Sequence, residues 1–235
     1  MTRWEFWPPW IFYPPVACYV VLLALKHRSL TLFTAVNPVM PASGFIGESK
    51  SEILQGLSGA GDWIARFNTI DASEPLSVRF GKAKSFMLQN GLSYPVVLKP
   101  DAGQRGSGVA VLRSDLELEE RLRDSGVKSI IQEYVPGAEF GVFYYRYPNA
   151  SHGRIFSITE KQFPCVTGNG KSSLERLIVD DPRAVCMAPF YLNHLKSRLC
   201  EVPEPGESVQ LVELGTHCRG AVFLDGSWVK TDALE

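Results

Sequence analysis

The order of apolar and polar positions predicts three helices in the first half of the chain. Residues 49–61 open on Ser49, with Glu52 three positions later and glycines at the far end, which is a capping signature for a short helix. Residues 77–91 carry apolar side chains at helical spacing and stop at a glycine. Residues 115–126 predict a charged surface helix.

Extended segments lie between these helices. Residues 29–36 and 63–70 alternate and are rich in branched side chains, which predicts strands. Residues 94–100 form a short apolar run typical of a buried strand, and 107–113 and 128–135 predict two more. Strand, strand, helix and strand in succession indicate a compact α+β unit.

After Pro136 the pattern changes to strands in succession. The predicted segments are 139–148, 153–164 and 208–231. They favour an antiparallel sheet, with helical segments near 172–178 and 189–200. We therefore predict an α+β fold of two lobes that meet near residues 132–137.

The predicted elements define four regions along the chain. These are an apolar N-terminal segment at 1–28, a leading strand and helix region at 29–75, a first lobe at 76–135 and a second lobe at 136–235.

The N-terminal region has no charge from Phe6 to Leu25 and a basic flank at 26–28. Its length approaches the roughly 20 apolar residues that span a bilayer, and the flank would place the following chain in the cytoplasm. Four prolines before Val16 shorten any unbroken helix. Two hypotheses remain: a membrane anchor, inserted or lying on the surface, or a core segment packed under a cytoplasmic domain.

Composition narrows the class of protein. The chain has 235 residues, of which 45% are hydrophobic, so it can bury a core. A net charge of -1 and the lack of a dense Lys/Arg run argue against nucleic acid as a partner. Five cysteines without a Cys-x-x-Cys pair favour a reducing, cytoplasmic location.

A glycine-rich stretch follows the predicted strand 94–100 and contains the main candidate chemistry. Glycines there let backbone N–H groups approach an anion, and Lys99 and Arg105 add positive charge. The stretch fits neither of the common glycine-rich nucleotide motifs. The residues alone leave open a hairpin turn or a phosphate-binding loop.

Several motifs in order resemble the ATP-grasp superfamily of carboxylate-amine ligases. "PVVLKP" with the glycines after it, "IIQEYVPGAEFGVFYY" and "VTGNGKSSLERLI" are similar to segments of D-alanine:D-alanine ligase, cyanophycin synthetase and bifunctional glutathione synthetase. "VPEPGESVQLVELGTHCRGAVFLD" resembles a further segment of the last two. The resemblance implies an ATP-grasp fold with the nucleotide between two α+β lobes.

The resemblance also implies a set of ATP contacts. The loop would cover the phosphates, the strand at 129–135 would meet the adenine, and Glu139 would accept from the ribose hydroxyls. The implied residues are Lys50, Lys99, Gly103, Arg105, Gly106, Ser107, Gly108, Gln132, Glu133, Tyr134, Val135 and Glu139. Lys50 is the looser match, because the prolines usual after it are missing. Lys50 as a helix-surface charge and Glu139 as an edge-strand acid stay open.

The implied reaction joins a carboxylate to an amine through an acyl phosphate, with ATP and Mg²⁺ as cofactors. Lys161 would face the transferred phosphate, with a solvated lysine as the alternative, and Arg219 would stabilise an acyl-phosphate oxygen. The magnesium motif Glu-x-Asn does not occur, so we expect the metal ligands, and the last strands of the second lobe, beyond the end of this chain, and impaired catalysis without them. The alternatives are a non-catalytic nucleotide-binding protein and a membrane-associated scaffold.

Overall fold

The computed structural model describes residues 7–44, 47–103, 106–216 and 219–234. The chain divides into two compact units, Met1–Tyr134 and Val135–Glu235. Each unit combines helices with antiparallel strands. The predicted α+β class is therefore confirmed.

The first unit contains a four-stranded antiparallel sheet in the order β1-β4-β2-β3. Its strands are β1 (Phe67–Ile70), β2 (Val96–Pro100), β3 (Ala110–Leu112) and β4 (Ser129–Glu133). β2 and β3 form the hairpin that the sequence predicts around the glycine-rich stretch. β4 lies between β1 and β2, so its backbone is paired on both sides.

Helices of the first unit begin where the sequence places their caps. They are α3 (Lys50–Gly56), α4 (Leu76–Gln89) and α5 (Asp115–Asp124). The Ser49 hydroxyl accepts from the backbone N–H of Glu52, as the capping signature predicts. The core contains residues of α4, α5 and one face of the sheet: Ile70, Ala83, Phe86, Met87, Val96, Leu98, Leu112, Leu118, Leu122 and Ile131.

The N-terminal segment forms α1 (Pro9–Phe12) and α2 (Pro14–His27). The prolines at the start of α2 occupy its first turn, where a missing N–H is tolerated. No residue of α2 is buried, so the hypothesis of a core segment does not fit this helix. Within the described ranges, no helix is both long enough and apolar enough to cross a membrane.

The strand predicted at 29–36 is wrong. A 3-10 helix, Leu32–Ala35, lies there, and both the N–H and the hydroxyl of Thr34 donate to the carbonyl oxygen of Thr31. Such local bonds give the backbone an alternative to strand pairing. Further 3-10 segments are Pro41–Gly44, Ser58–Trp63, Ala184–Met187 and Ser227–Val229.

The second unit contains two antiparallel sheets where the sequence favours one. β5 (Glu139–Tyr145), β6 (Arg154–Gln162) and β9 (Val222–Asp225) form the sheet β5-β6-β9, and β7 (Cys165–Thr167) pairs with β8 (Ser208–Gln210). Pro164 separates β6 from β7 and has no N–H for a ladder bond, which explains the interruption.

Two helices cover the smaller sheet of this unit, α6 (Leu174–Asp180) and α7 (Ala188–His194). Their apolar side chains form a second core that includes Val166, Leu174, Ile178, Tyr191, Val209 and Leu211. A Cβ on Gly168 would lie 2.2 Å from the carbonyl oxygen of Glu204, so the start of the "TGNG" motif-like turn requires glycine.

Candidate functional site

Lys99 lies near the end of β2, directly before the glycine loop, which we define as residues 103–108. Its side chain is half-buried and forms no hydrogen bond or ion pair with the residues that the structure describes. Burial, and secondly the charge of Lys50, lower the pKa of Lys99 from its ordinary value. An ammonium group in this position would be stabilised by a bound anion.

Gln132 lies on the same face of the sheet as Lys99. Leu98 and Ile131 are paired across β2 and β4 and belong to the core, so the alternating positions Lys99 and Gln132 lie on the opposite face. Gln132 is paired with Val97, about 7 Å along the strand from Lys99. One ligand could therefore contact both residues.

Lys50 contacts the backbone of the glycine loop. Its Nζ donates to the carbonyl oxygens of Asp101, at 3.2 Å, and Gly103, at 2.9 Å. The alternative of a helix-surface charge does not describe these contacts. Lys50 holds the start of the loop against the first turn of α3.

The carboxylate of Asp101 completes this attachment and was missed in the sequence. It is buried and accepts from the Ser51 N–H at 2.7 Å, the Ser49 hydroxyl at 2.9 Å and Lys128 Nζ at 3.1 Å. Burial alone would raise the pKa of Asp101, but the hydrogen bonds from Ser51, Ser49 and Lys128 together hold it below its ordinary value. A polar residue directly after a buried strand is the signal that could have indicated it.

Gly106 and Gly108 give the loop a backbone that other residues rarely adopt. Both have φ of 73°, and a Cβ on Gly108 would lie 2.6 Å from Cγ of Pro100. Arg121 Nη2 donates to the carbonyl oxygen of Gly108 at 2.9 Å, which fixes the far end of the loop. Ser107 is exposed between these glycines, and Arg105 lies outside the described residues.

Glu133 ends β4, but its side chain is bound to Arg66. Arg66 Nη2 and Nε donate to the two carboxylate oxygens at 2.8 and 2.9 Å, and the Arg66 backbone N–H donates to one of them. The hydrogen bond from the Arg66 side chain lowers the pKa of Glu133 to about 2. Glu133 therefore has its backbone, rather than its carboxylate, available for an adenine ring.

Tyr134 and Val135 follow directly and are exposed. Tyr134 is the last residue of the first unit and Val135 is the first of the second.

In the second unit, Glu139 and Lys161 lie opposite each other on β5 and β6. Lys161 Nζ donates to Glu139 Oε2 at 3.2 Å. A Cβ on Gly215 would lie 3.3 Å from the same carboxylate oxygen and 3.4 Å from the ring of Phe163. The structure thus brings two predicted residues together and adds Phe163 and Gly215, which the sequence interpretation did not include.

Arg219 lies over the face of Phe190, with its guanidinium carbon 5.9 Å from the ring centroid. The Tyr191 hydroxyl donates to the Arg219 carbonyl oxygen at 2.9 Å, and burial raises the pKa of Tyr191 to about 12. Gly220 has φ of 84°, and a Cβ there would lie 2.0 Å from this hydroxyl. Tyr191 therefore fixes the backbone at Arg219.

Magnesium does not fit the described part of the chain. Among those residues, no group of three or more His, Cys, Asp or Glu side chains could hold a metal ion. Glu213, the nearest candidate in sequence, has Gly215 in the position where the second ligand would fall.

No protein-family model and no curated protein sequence matches the chain. Solved structures do match. A bifunctional glutathione synthetase from Pasteurella multocida is 15% identical, with a TM-score of 0.37, over 79% of this chain and 26% of that one. D-alanine-D-alanine ligase from Coxiella burnetii is 10% identical, with a TM-score of 0.38, over 48% and 32%. The corresponding ligase from Bacillus anthracis is 16% identical, with a TM-score of 0.39, over 73% and 60%.

The chain is similar to ATP-grasp ligases. These are the kinds of enzyme that its sequence motifs resemble. The chain spans only 26% and 32% of the first two structures. At TM-scores below 0.5 the likeness is loose, and the roles of individual residues depend on the contacts described above.

Proposed function

We propose that the chain binds ATP as part of an ATP-dependent ligase that joins a carboxylate to an amine. The half-buried, unpaired ammonium of Lys99 beneath the glycine loop is the observation that carries this proposal. A buried charge without a partner is costly, and a phosphate group beside it would offset that cost. Loop N–H groups would add hydrogen bonds to the same phosphates.

The remaining contacts of the nucleotide follow from the two units taken separately. In the first unit, Gln132 and the backbone of Glu133 would meet the adenine, with Tyr134 beside it. In the second unit, Val135 would line the base pocket, and Glu139 would accept from the ribose hydroxyls while Lys161 is released to a phosphate oxygen. Arg105 would add charge at the loop.

The proposed chemistry has two steps. A substrate carboxylate attacks the γ-phosphorus of ATP, which forms an acyl phosphate and releases ADP. An amine then attacks the acyl carbon, which forms the amide and releases phosphate. Lys161 would stabilise the charge on the transferred phosphoryl group, and Arg219 would stabilise the acyl-phosphate oxygen.

Substitution of Lys99 tests the nucleotide site. We expect Lys99→Ala to weaken ATP binding roughly tenfold or more, because a charge-assisted contact is lost. Lys84→Ala is the matched control, since Lys84 is exposed and paired with Asp115. Isothermal titration with ATP measures both, and equal affinity of Lys99→Ala and the unsubstituted protein would reject the site.

Turnover separates the ligase from a nucleotide-binding protein without catalysis. We expect ADP release that depends on a carboxylate, in a panel of carboxylates and amines with Mg²⁺. Tight ATP binding with no carboxylate-dependent ADP from the full-length protein would favour the non-catalytic alternative. A protein that binds no ATP would leave the scaffold alternative.

A second proposal concerns α2. We infer that it lies on a membrane, because a 14-residue helix with apolar side chains on all sides and none of them buried lacks a partner surface. At about 1.5 Å per residue it is about 21 Å long, shorter than the hydrocarbon core of about 30 Å, which suits an interfacial position. Lys26 and His27 in its last turn, with Arg28 after it, would contact anionic headgroups.

Vesicle binding tests this second proposal. We expect Leu22→Glu, in the middle of α2, to weaken co-sedimentation with vesicles that contain anionic lipid by roughly tenfold. Leu88→Glu changes an equally exposed leucine on α4 and should bind as the unsubstituted protein does. Undiminished binding of Leu22→Glu would rule out α2 as the membrane contact.

A further inference from the structure

The turn between β5 and β6 forms a concave surface of about 520 Å³ at the far end of these strands from Glu139 and Lys161. Glu139 is paired with Lys161 and Tyr145 with Arg154, so about 20 Å separates the two ends. Tyr145, Arg146, Tyr147, Ser151, His152 and Arg154 are among the residues that line it. We call it the hairpin-tip cavity.

The backbone of the turn fixes the shape of this cavity. The N–H of Ala150 donates to the carbonyl oxygen of Tyr147 at 3.0 Å, with Pro148 and Asn149 between them, which closes a tight turn. A Cβ on Gly153 would lie 2.1 Å from the ring of Tyr144. Tyr144 therefore packs across the base of the turn, where only glycine leaves space.

The charges around the cavity are positive. Arg146 and Arg154 are exposed, and neither side chain forms a hydrogen bond or ion pair with any residue in the described ranges. His152 lies on the same wall, and none of the lining residues is acidic. Two guanidinium groups without a counter-charge in one concave surface would attract an anion.

Aromatic rings complete the cavity. The rings of Tyr145 and Tyr147 meet edge to face at 5.5 Å, and Tyr147 is 69% exposed. A planar group of a ligand could stack on the free face of Tyr147. The volume is within the range of about 300–1,000 Å³ that holds small organic molecules, and it is larger than a single inorganic ion needs.

We propose that the hairpin-tip cavity binds the phosphate group of an organic phosphate. A phosphomonoester carries close to two negative charges, which match Arg146 and Arg154 better than the single charge of a carboxylate does. The ring of Tyr147 contacts the organic part. The phosphate belongs either to a soluble ester or to a lipid headgroup, and the test distinguishes these two sources.

Titration of the full chain with phenyl phosphate, followed by ³¹P line broadening, tests the soluble source. Arg146→Gln and Arg154→Gln are each expected to weaken binding about tenfold, because each removes a charge-assisted contact. Arg198→Gln is the control, since Arg198 is exposed in the same unit but paired with Glu201. Lys99→Ala should also bind normally, which separates this cavity from the proposed ATP site.

Vesicles of phosphatidylcholine, with and without phosphatidic acid, test the lipid source. α2 is intact in every variant, so a loss of phosphatidic-acid-dependent binding in Arg146→Gln and Arg154→Gln reports on the cavity alone. Loss in either arm supports the proposal and identifies the source. If both variants keep the affinity of the unsubstituted protein in both arms, with unchanged thermal unfolding, the proposal is overturned.

Discussion

Lys50 and Lys99 lie beside the same glycine loop but have different surroundings. Lys50 donates to two backbone carbonyl oxygens, whereas Lys99 has no partner among the described residues. Lys50 therefore acts as a positioning residue in the absence of a ligand, and Lys99 is the lysine that an incoming anion would contact.

Loss of the Lys50 contacts should loosen the loop. We expect Lys50→Ala to raise the hydrogen exchange rates of the loop amides by about tenfold, because each lost bond contributes about 1 kcal/mol. Lys82→Ala is the control, since Lys82 is paired with Glu74 away from the loop. Exchange measured by mass spectrometry decides, and equal rates in both variants would contradict a positioning role.

Arg66 and Glu133 make stability depend on pH. The pKa of Glu133 lies near 2 in the folded protein and near 4.3 in an unfolded chain, so its stabilising contribution is complete above about pH 5 and is lost as the pH falls towards 2. Arg66 is about half exposed, so we expect Arg66→Gln to cost about 0.5–1 kcal/mol at pH 7.

Urea unfolding at pH 7 and at pH 3 measures this effect. The difference in unfolding free energy between Arg66→Gln and the unsubstituted protein should shrink at pH 3. Arg123→Gln removes an exposed pair within α5 and serves as the control at both pH values. A difference that stays constant with pH would show that Glu133 is not the titrating group.

Prediction from sequence succeeds at single residues where the partner is local. Ser49 caps α3 through a residue three positions away, and the capping signature indicates it directly. Arg66 and Glu133 are 67 positions apart, and Ser51 and Asp101 are 50 apart. Pairs at such separation are created by the pairing of strands and the docking of helices, which no local pattern contains.

At the scale of elements, the periodic patterns of the first unit predict α4, α5 and the hairpin β2-β3. Two other elements depend on context. Residues 29–36 alternate as a strand does, but local bonds to Thr31 favour a 3-10 helix. Pro164 divides the strands of the second unit into two sheets, since it cannot donate a ladder bond.

Two glycines of the first unit should respond in opposite ways to alanine. Gly108 has a positive φ and a close contact with Pro100, so Gly108→Ala should destabilise the protein by about 1–3 kcal/mol. Gly81 lies inside α4 with open space around it, so Gly81→Ala should stabilise by about 0.5–1 kcal/mol. Chemical denaturation of both variants measures the sign, and destabilisation of the same size in both would refute the assignment.

At the scale of the whole molecule, each unit has its own apolar core and its own part of the proposed ATP site. In the second unit, Glu139 and Lys161 neutralise each other while no ligand is bound. A ligand that takes only one of them leaves the other without a partner. Selectivity for a complete nucleotide would follow from this pairing.

Thermal stabilisation by ligands should reflect this pairing. We expect ATP to raise the midpoint of unfolding, and adenosine and pyrophosphate to have little effect even in combination, since neither satisfies both side chains within one molecule. In Lys161→Ala, adenosine should stabilise more than in the unsubstituted protein, because Glu139 no longer has a competing partner. Stabilisation by adenosine equal to that by ATP would disprove the requirement.

The two attachments of the glycine loop also determine where the chain can change in length. Gly103 is held by Lys50, and Gly108 is held by Arg121 and by its contact with Pro100. Residues added between Gly103 and Gly106 would leave both attachments in place, and closing a slightly longer loop costs little free energy. That position is therefore suited to insertion of a peptide tag or a fluorescent reporter that follows occupancy of the site.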